Sequence, residues 1–250
     1  MTVKTIIRLS ANPDGFGQTT DELSQELFTS ALPTQHSHEY YADDGLGLYI
    51  GVWDTDDMIE TSGPYACDEF MWLIEGEAQI KNSKTGSVET ASAGEPFIIP
   101  RGYDCQWHQR GYLRKFYVIW ENPVEPIPET PSVEAIIIPR SDAPCAVMKT
   151  IAPFKVTSGG APRENICYTD ITGRFVSGTW QSDAFDSEAR PFPYAEFAYV
   201  QAGSIQLRDE AGIGHVFNAG EAFFVPEETI CSARVEDAVT LFFAIVMSRT

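Results

Sequence analysis

Glu69 is the residue of this chain with the clearest chemical potential. On a strand, side chains two apart share a face, so an inward Glu69 brings Tyr65, Cys67 and Met71 with it, and an inward Cys105 brings Tyr103 and Trp107. A carboxylate inside an apolar shell must be hydrogen-bonded or neutralised, and burial raises its pKa. Such a group is suited to general acid–base work, with Tyr65, Tyr103 or Cys105 to relay a proton or hold a carbonyl oxygen. Lys115 and Arg114 lie on a later strand, where either can pair with Glu69 or meet an acidic substrate. Trp53 is a core filler or a pocket wall. The candidate set is therefore Glu69 as acid or base, with Trp53, Tyr65, Cys67, Tyr103, Cys105, Trp107 and Lys115 as substrate contacts.

The same side chains offer a second chemistry. Glu69 and Cys105, helped by Cys67 and Tyr65, are a donor set for Zn or Fe, because thiolate suits those ions. His36 and His38 form the sole His-x-His of the chain, two imidazoles on one strand face that can complete such a set or act as hydrogen-bonding or interface residues. The bland reading of Cys105 is a small buried hydrophobe. His108, three residues on, falls on the opposite strand face and cannot activate it. His215 sits in a turn with no visible partner.

These residues need strands to hold them. From Pro64 to Trp107 the sequence reads as strand, turn, strand, turn, strand, with breaks at Glu75-Gly76, Gly86, Ala93-Gly94 and Pro100-Arg101-Gly102. Strands also fit Thr5–Leu9, Leu46–Asp54, Gly111–Trp120, Arg174–Gln181 and Val239–Met247. One helix is expected, over Thr20–Leu32, with Thr20 and Asp21 as caps and Leu23, Leu27 and Ala31 at four-residue spacing. No copy of it is recognisable around 145–160. Such an N-terminal arm packs across the other domain or another subunit.

The central stretch occurs twice. Trp53 and Trp180, Glu69 and Glu196, and Gly76 and Gly203 are each 127 positions apart; Gly94 and Gly220, and Pro100 and Pro226, are 126 apart. Ala135–Ile138 copies Thr5–Leu9. One fold built twice gives two domains, 1–124 (arm and first barrel) and 125–250, joined by the Pro-rich segment Glu121–Glu134, an extended, semi-rigid spacer.

Glu69 followed by Gly76, and Gly94 followed by Pro100 and Gly102, resemble the end of the first and the start of the second cupin motif. Trp53, sixteen residues ahead of Glu69, and Glu75-Gly76-Glu77 after it are similar to the ureidoglycine-aminohydrolase-like (DUF861) branch. The resemblance implies an all-β bicupin: two tandem jelly-roll barrels with a helix-bearing arm. It also implies a metal such as Mn, Fe, Ni or Zn, held by two histidines four and six residues before the Glu and a third after the second motif. Here those positions hold Tyr65, Gly63 and Cys105, and in the second half Phe192, Arg190 and Cys231. The ligand set is reduced to one carboxylate and one thiol per barrel.

The whole chain narrows the partners. A net charge of −19 disfavours nucleic acid and anionic membranes. Five cysteines without a CxxC pair suggest neither a disulfide framework nor a zinc ribbon. No signal peptide or spanning run is visible, so a cytoplasmic homodimer is expected. The leading expectation for function is a first-barrel pocket for a small polar metabolite, with weak or no metal and a possible lyase- or isomerase-type proton transfer. The alternatives are a metal-dependent aminohydrolase or dioxygenase with Glu/Cys ligands, and a non-catalytic sensor or scaffold.

Overall fold

The structure is a computed structural model that describes residues 4–129, 131, 133–147, 153–160 and 162–248. Nearly every element in it is a strand. In chain order these begin with β1 (Ile7–Leu9), β2 (Gln35–Asp43), β3 (Leu48–Thr55), β4 (Met58–Ile59), β5 (Gly63–Pro64) and β6 (Asp68–Glu75). They continue with β7 (Glu77–Asn82), β8 (Val88–Ser92), β9 (Pro96–Ile99), β10 (Asp104–Gln109) and β11 (Leu113–Trp120). No helix of the structure is long and apolar enough to cross a membrane.

The chain divides into two compact units, Ser10–Ile138 and Met1–Leu9 with Pro139–Thr250. By contacts the Pro-rich segment groups with the first barrel, and β1 groups with the second half. In the Ser10–Ile138 unit two antiparallel sheets form a jelly roll: β2-β3-β11-β6-β9 on one side, and β4-β10-β7-β8 with β5 beside β10 on the other. The core lies between them, built from Met71, Leu73, Ile80, Phe97, Ile99 and Trp107 among others. Strand β6 is central and covered on both faces, which is why it reads as a nearly unbroken apolar run; β7, covered on one, alternates.

The second unit makes the same turns with longer strands. Phe175–Glu188, Ala195–Asp209 and Ile230–Val246 run on where the first unit breaks, with register shifts at the bends. At the corner between β6 and β7 stands Gly76, with φ +86°, where a Cβ would lie 2.3 Å from the Tyr112 carbonyl oxygen. Gly203 has φ +76° and would place a Cβ 1.9 Å from the Ala238 carbonyl oxygen. The repeated glycine is a steric requirement of the corner, since a left-handed backbone pressed against a neighbouring strand leaves no room for a side chain.

Two expectations are corrected. The helix over Thr20–Leu32 is absent: only Gln25–Leu27 forms a single 3-10 turn. Its backbone bonds elsewhere, with Asp21 N donating to Gln35 O, Thr29 N to Ile59 O, and Thr61 N to Leu27 O. Long-range pairing overrides the local apolar period, and the segment lies as a strap over the barrel. The strand copies are also exchanged. β1 pairs with Ala222–Val225, Ile7 opposite Phe224, while Ile137 bridges Ile98 in the other unit. Of the stretch around 145–160, residues 148–152 lie outside the described residues, as do 130 and 132 of the linker. The rest of the linker lies along the first unit, where Glu125 O accepts from Arg101 Nη2 and Glu134 O from Asn82 Nδ2.

Candidate functional site

The first unit encloses a cavity of about 790 Å³ between its two sheets and the strap. Strand periodicity decides what reaches it. From β2 come Gln35, Ser37 and Glu39; from β3, Tyr49 and Trp53; from β11, Lys115, Tyr117 and Ile119; from β6, Glu69. Register puts Lys115 beside Trp53 on one flank and Leu73 on the other. The opposite sheet supplies Cys105, the segment around β5 supplies Tyr65, and the strap closes one side with Leu23, Glu26, Leu27 and Phe28.

Glu69 is 3% exposed, and both of its oxygens are engaged. Lys115 Nζ donates to Oε1 at 2.8 Å and Tyr65 OH donates to Oε2. The ammonium is enclosed in turn, donating to Met71 Sδ at 3.0 Å and lying 4.7 Å and 4.6 Å from the ring centres of Trp53 and Trp107. A buried ion pair needs this kind of satisfaction, since desolvating both charges costs several kcal/mol per ion. Burial and the Glu69 charge push the Tyr65 hydroxyl well above its usual range.

Glu60 is the residue that sequence reasoning missed. It follows β4, its amide donates to Trp107 O at 3.0 Å, and its neighbour Phe28 bridges to it. Its side chain lines the cavity and has no hydrogen-bond partner among the described residues. Burial pushes its pKa up to about 7; Lys115 pulls the other way and Glu69 adds to the rise. Two carboxylates in one cavity therefore have different company, one clamped by a cation and a phenol, the other open to a ligand and titrating near neutrality.

The remaining candidates divide. Trp53, Tyr65, Glu69, Cys105 and Lys115 meet at the cavity. Cys67, Tyr103 and Trp107 are buried but do not line it. Tyr103 OH turns to Glu89 Oε2 at 2.9 Å, and Trp107 backs the Lys115 ammonium. Arg114 takes the other face of β11, where its Nη2 meets Asp54 Oδ2 at 3.1 Å. His36 joins it there, with Nδ1 2.7 Å from Asp54 Oδ1 and its ring against Phe16, and His38 packs on Tyr40. Neither histidine lines the cavity, because both alternate with the cavity-lining Gln35, Ser37 and Glu39. His215 has a partner after all, Asp209 Oδ2 at 3.3 Å.

The donor set does not fit the metal that cupin motifs imply. Among the described residues no three His, Cys, Asp or Glu side chains converge to hold an ion. Glu69 already bonds an ammonium, the like-charged competitor of a divalent cation. Burial pushes the Cys105 thiol up to about 12 and Cys67 well above its usual range, and Cys67 does not line the cavity.

The second unit is an internal control. Leu241 flanks Trp180 and Val200 as Lys115 flanks Trp53 and Leu73. Phe192 replaces Tyr65, Ser187 replaces Glu60 and Ala233 replaces Trp107. Phe154 fills the interior, its ring 6.2 Å from Trp180 and 5.6 Å from Phe192. Glu196, with no ion pair among the described residues, has its pKa pushed up to about 8 by burial and by Glu164.

No protein-family model and no curated protein matches the chain. Solved structures do. A protein of unknown function of the DUF861 family from Pseudomonas syringae pv. tomato is 20% identical, with a TM-score of 0.77 over 97% of this chain and 100% of its own. Protein Ylba from E. coli, also DUF861, is 10% identical with a TM-score of 0.57, covering 100% of this chain and 94% of its own. Salicylate 1,2-dioxygenase from Pseudoaminobacter salicylatoxidans is 14% identical with a TM-score of 0.53, over 84% of this chain and 76% of its own. At these identities the likeness is one of architecture: the jelly-roll sheets described above are the cupin fold.

Proposed function

We propose that the chain is a bicupin of the DUF861 kind in which the first barrel binds a small polar metabolite and moves a proton on it without a metal. The observation that carries this reading is Glu60, an unpaired carboxyl facing the cavity beside the Lys115–Glu69–Tyr65 cluster. With a pKa near 7, Glu60 is present in both protonation states at neutral pH, which is where a general acid or base works best. The Lys115–Glu69 pair holds the charge next to it fixed, and Tyr65 adds a hydroxyl to the cavity wall beside Glu69. The repeat and the DUF861 neighbours favour the bicupin assignment; the residues at the ligand positions argue against the metal chemistry of that branch.

The test is hydrogen exchange. Purified protein incubated in D2O with a panel of small carbonyl and amino compounds should wash deuterium into at least one of them, read by mass spectrometry. The rate should be lost in Glu60→Gln and unaffected by EDTA. Exchange that survives Glu60→Gln would reject Glu60 as the proton carrier. Near-stoichiometric Mn, Fe, Ni or Zn in tag-free protein, absent from Glu69→Gln, would reject the metal-free mechanism.

A further inference from the structure

The ionisable lining of the cavity is lopsided. Glu39 and Glu121 are exposed at its mouth with Glu26 of the strap, and Glu60 and Glu69 lie inside. Against these five carboxylates the lining holds one cation, Lys115, which Glu69 already neutralises. A ring of like charge on low-dielectric walls focuses the field and concentrates counter-charged ligands at the entrance. The walls suit the same kind of guest: Tyr49, Trp53, Tyr65 and Tyr117 offer aromatic surface. Lys115 already shows what this interior does with an ammonium, holding it over two indole rings beside a carboxylate. A positively charged nitrogen reaching Glu60 would find the equivalent carboxylate unused.

We propose that the natural ligand of the first barrel carries a protonated amine, which docks against Glu60 with its carbon skeleton along Trp53 and Tyr117. The inference rests on the pocket reading above and adds the charge class of the ligand. An anionic ligand would meet four carboxylates with no free cation to answer them, and a neutral one would leave Glu60 without a strong partner.

Three probes of one size separate these cases: benzylamine, benzyl alcohol and benzoate, titrated into the full chain by calorimetry at pH 7.5 and followed by tryptophan fluorescence. Benzylammonium should bind at least about ten-fold tighter than benzyl alcohol, as expected of a desolvated cation on aromatic faces beside a carboxylate. Benzoate should not bind. Glu60→Gln should bring benzylamine to the affinity of benzyl alcohol and leave the alcohol unchanged. Glu39→Gln, at an exposed position of the lining, should weaken benzylamine alone and reduce its salt dependence. Equal or tighter binding of benzyl alcohol or benzoate would overturn the cationic ligand and leave the pocket standing. Binding of none of the three would overturn the pocket itself.

Discussion

At the scale of single residues, Lys115 sets the charge balance around Glu69, and Leu241 shows what its absence means. The same fold position holds Glu69 in one unit and Glu196 in the other, and the one without a lysine opposite has its pKa pushed up to about 8. Lys115→Met should therefore make Glu69 behave as Glu196 does. Removing one member of a buried pair costs about 3–5 kcal/mol. The sign of the pH dependence follows from linkage. A carboxyl whose folded pKa lies above its unfolded value destabilises the fold as pH rises through that interval, and costs nothing below it. The variant should thus approach wild type in chemical denaturation at pH 5 and fall furthest behind at pH 8. A deficit that is the same at both would show that Glu69 does not titrate in the variant. Part of this cluster was legible in the sequence, because period two puts Cys105 and Trp107 on one face of β10, whereas Tyr65 reaches Glu69 from outside β6, across the bend at 66–67. Glu60 was not. It stands in Glu60-Thr61-Ser62-Gly63-Pro64, which reads locally as a turn. Only its bonds to Trp107 and Phe28, distant in sequence, carry it to the cavity.

At the scale of elements, the corner glycines and the strap behave in opposite ways. Gly76 was visible as a repeated residue, and its reason is local: a left-handed backbone with a carbonyl 2.3 Å from where a Cβ would be. Gly76→Ala should lose about 2 kcal/mol or more, since the strained backbone and the close carbonyl add. Thermal unfolding measures this, and a neutral result would mean the corner relaxes freely. The strap was misread as a helix for the converse reason. Leu23, Leu27 and Ala31 do recur at helical spacing, yet Leu27 is 57% exposed and Phe28 is the side chain that enters the core. The segment's amides and carbonyls are claimed by β2 and by residues 59 and 61, so its conformation is set from outside. The barrel strands were legible because each is long enough to display its own pattern; the strap's structure lies in its partners.

At the scale of the whole molecule, the two units fill their interiors unequally. The second interior is closed by Phe154, Trp180, Phe185 and Phe192, all buried, while the first keeps its space. The copies also trade their covering strands, which no pattern within either copy can announce. Deleting residues 1–9 removes β1 from the edge of Ala222–Val225 and uncovers a row of unpaired amides flanked by Phe223 and Phe224. Unpaired apolar edges recruit other chains. The shortened protein should self-associate in a concentration-dependent way by light scattering; a stable, non-associating product would show that the edge needs no cover.

The exchange has a bearing on how the protein comes into being. Ile7 leaves the ribosome more than two hundred residues ahead of its partner, Phe224. Synthesis proceeds at roughly 5–20 residues per second, so β1 waits about ten seconds or more for the strand it completes. For the later part of that interval, once Trp120 has been made, the first barrel has every strand of its own two sheets in hand. Maturation of this chain is therefore ordered in time: the barrel that holds the cavity can be finished while β1 is still searching for a place.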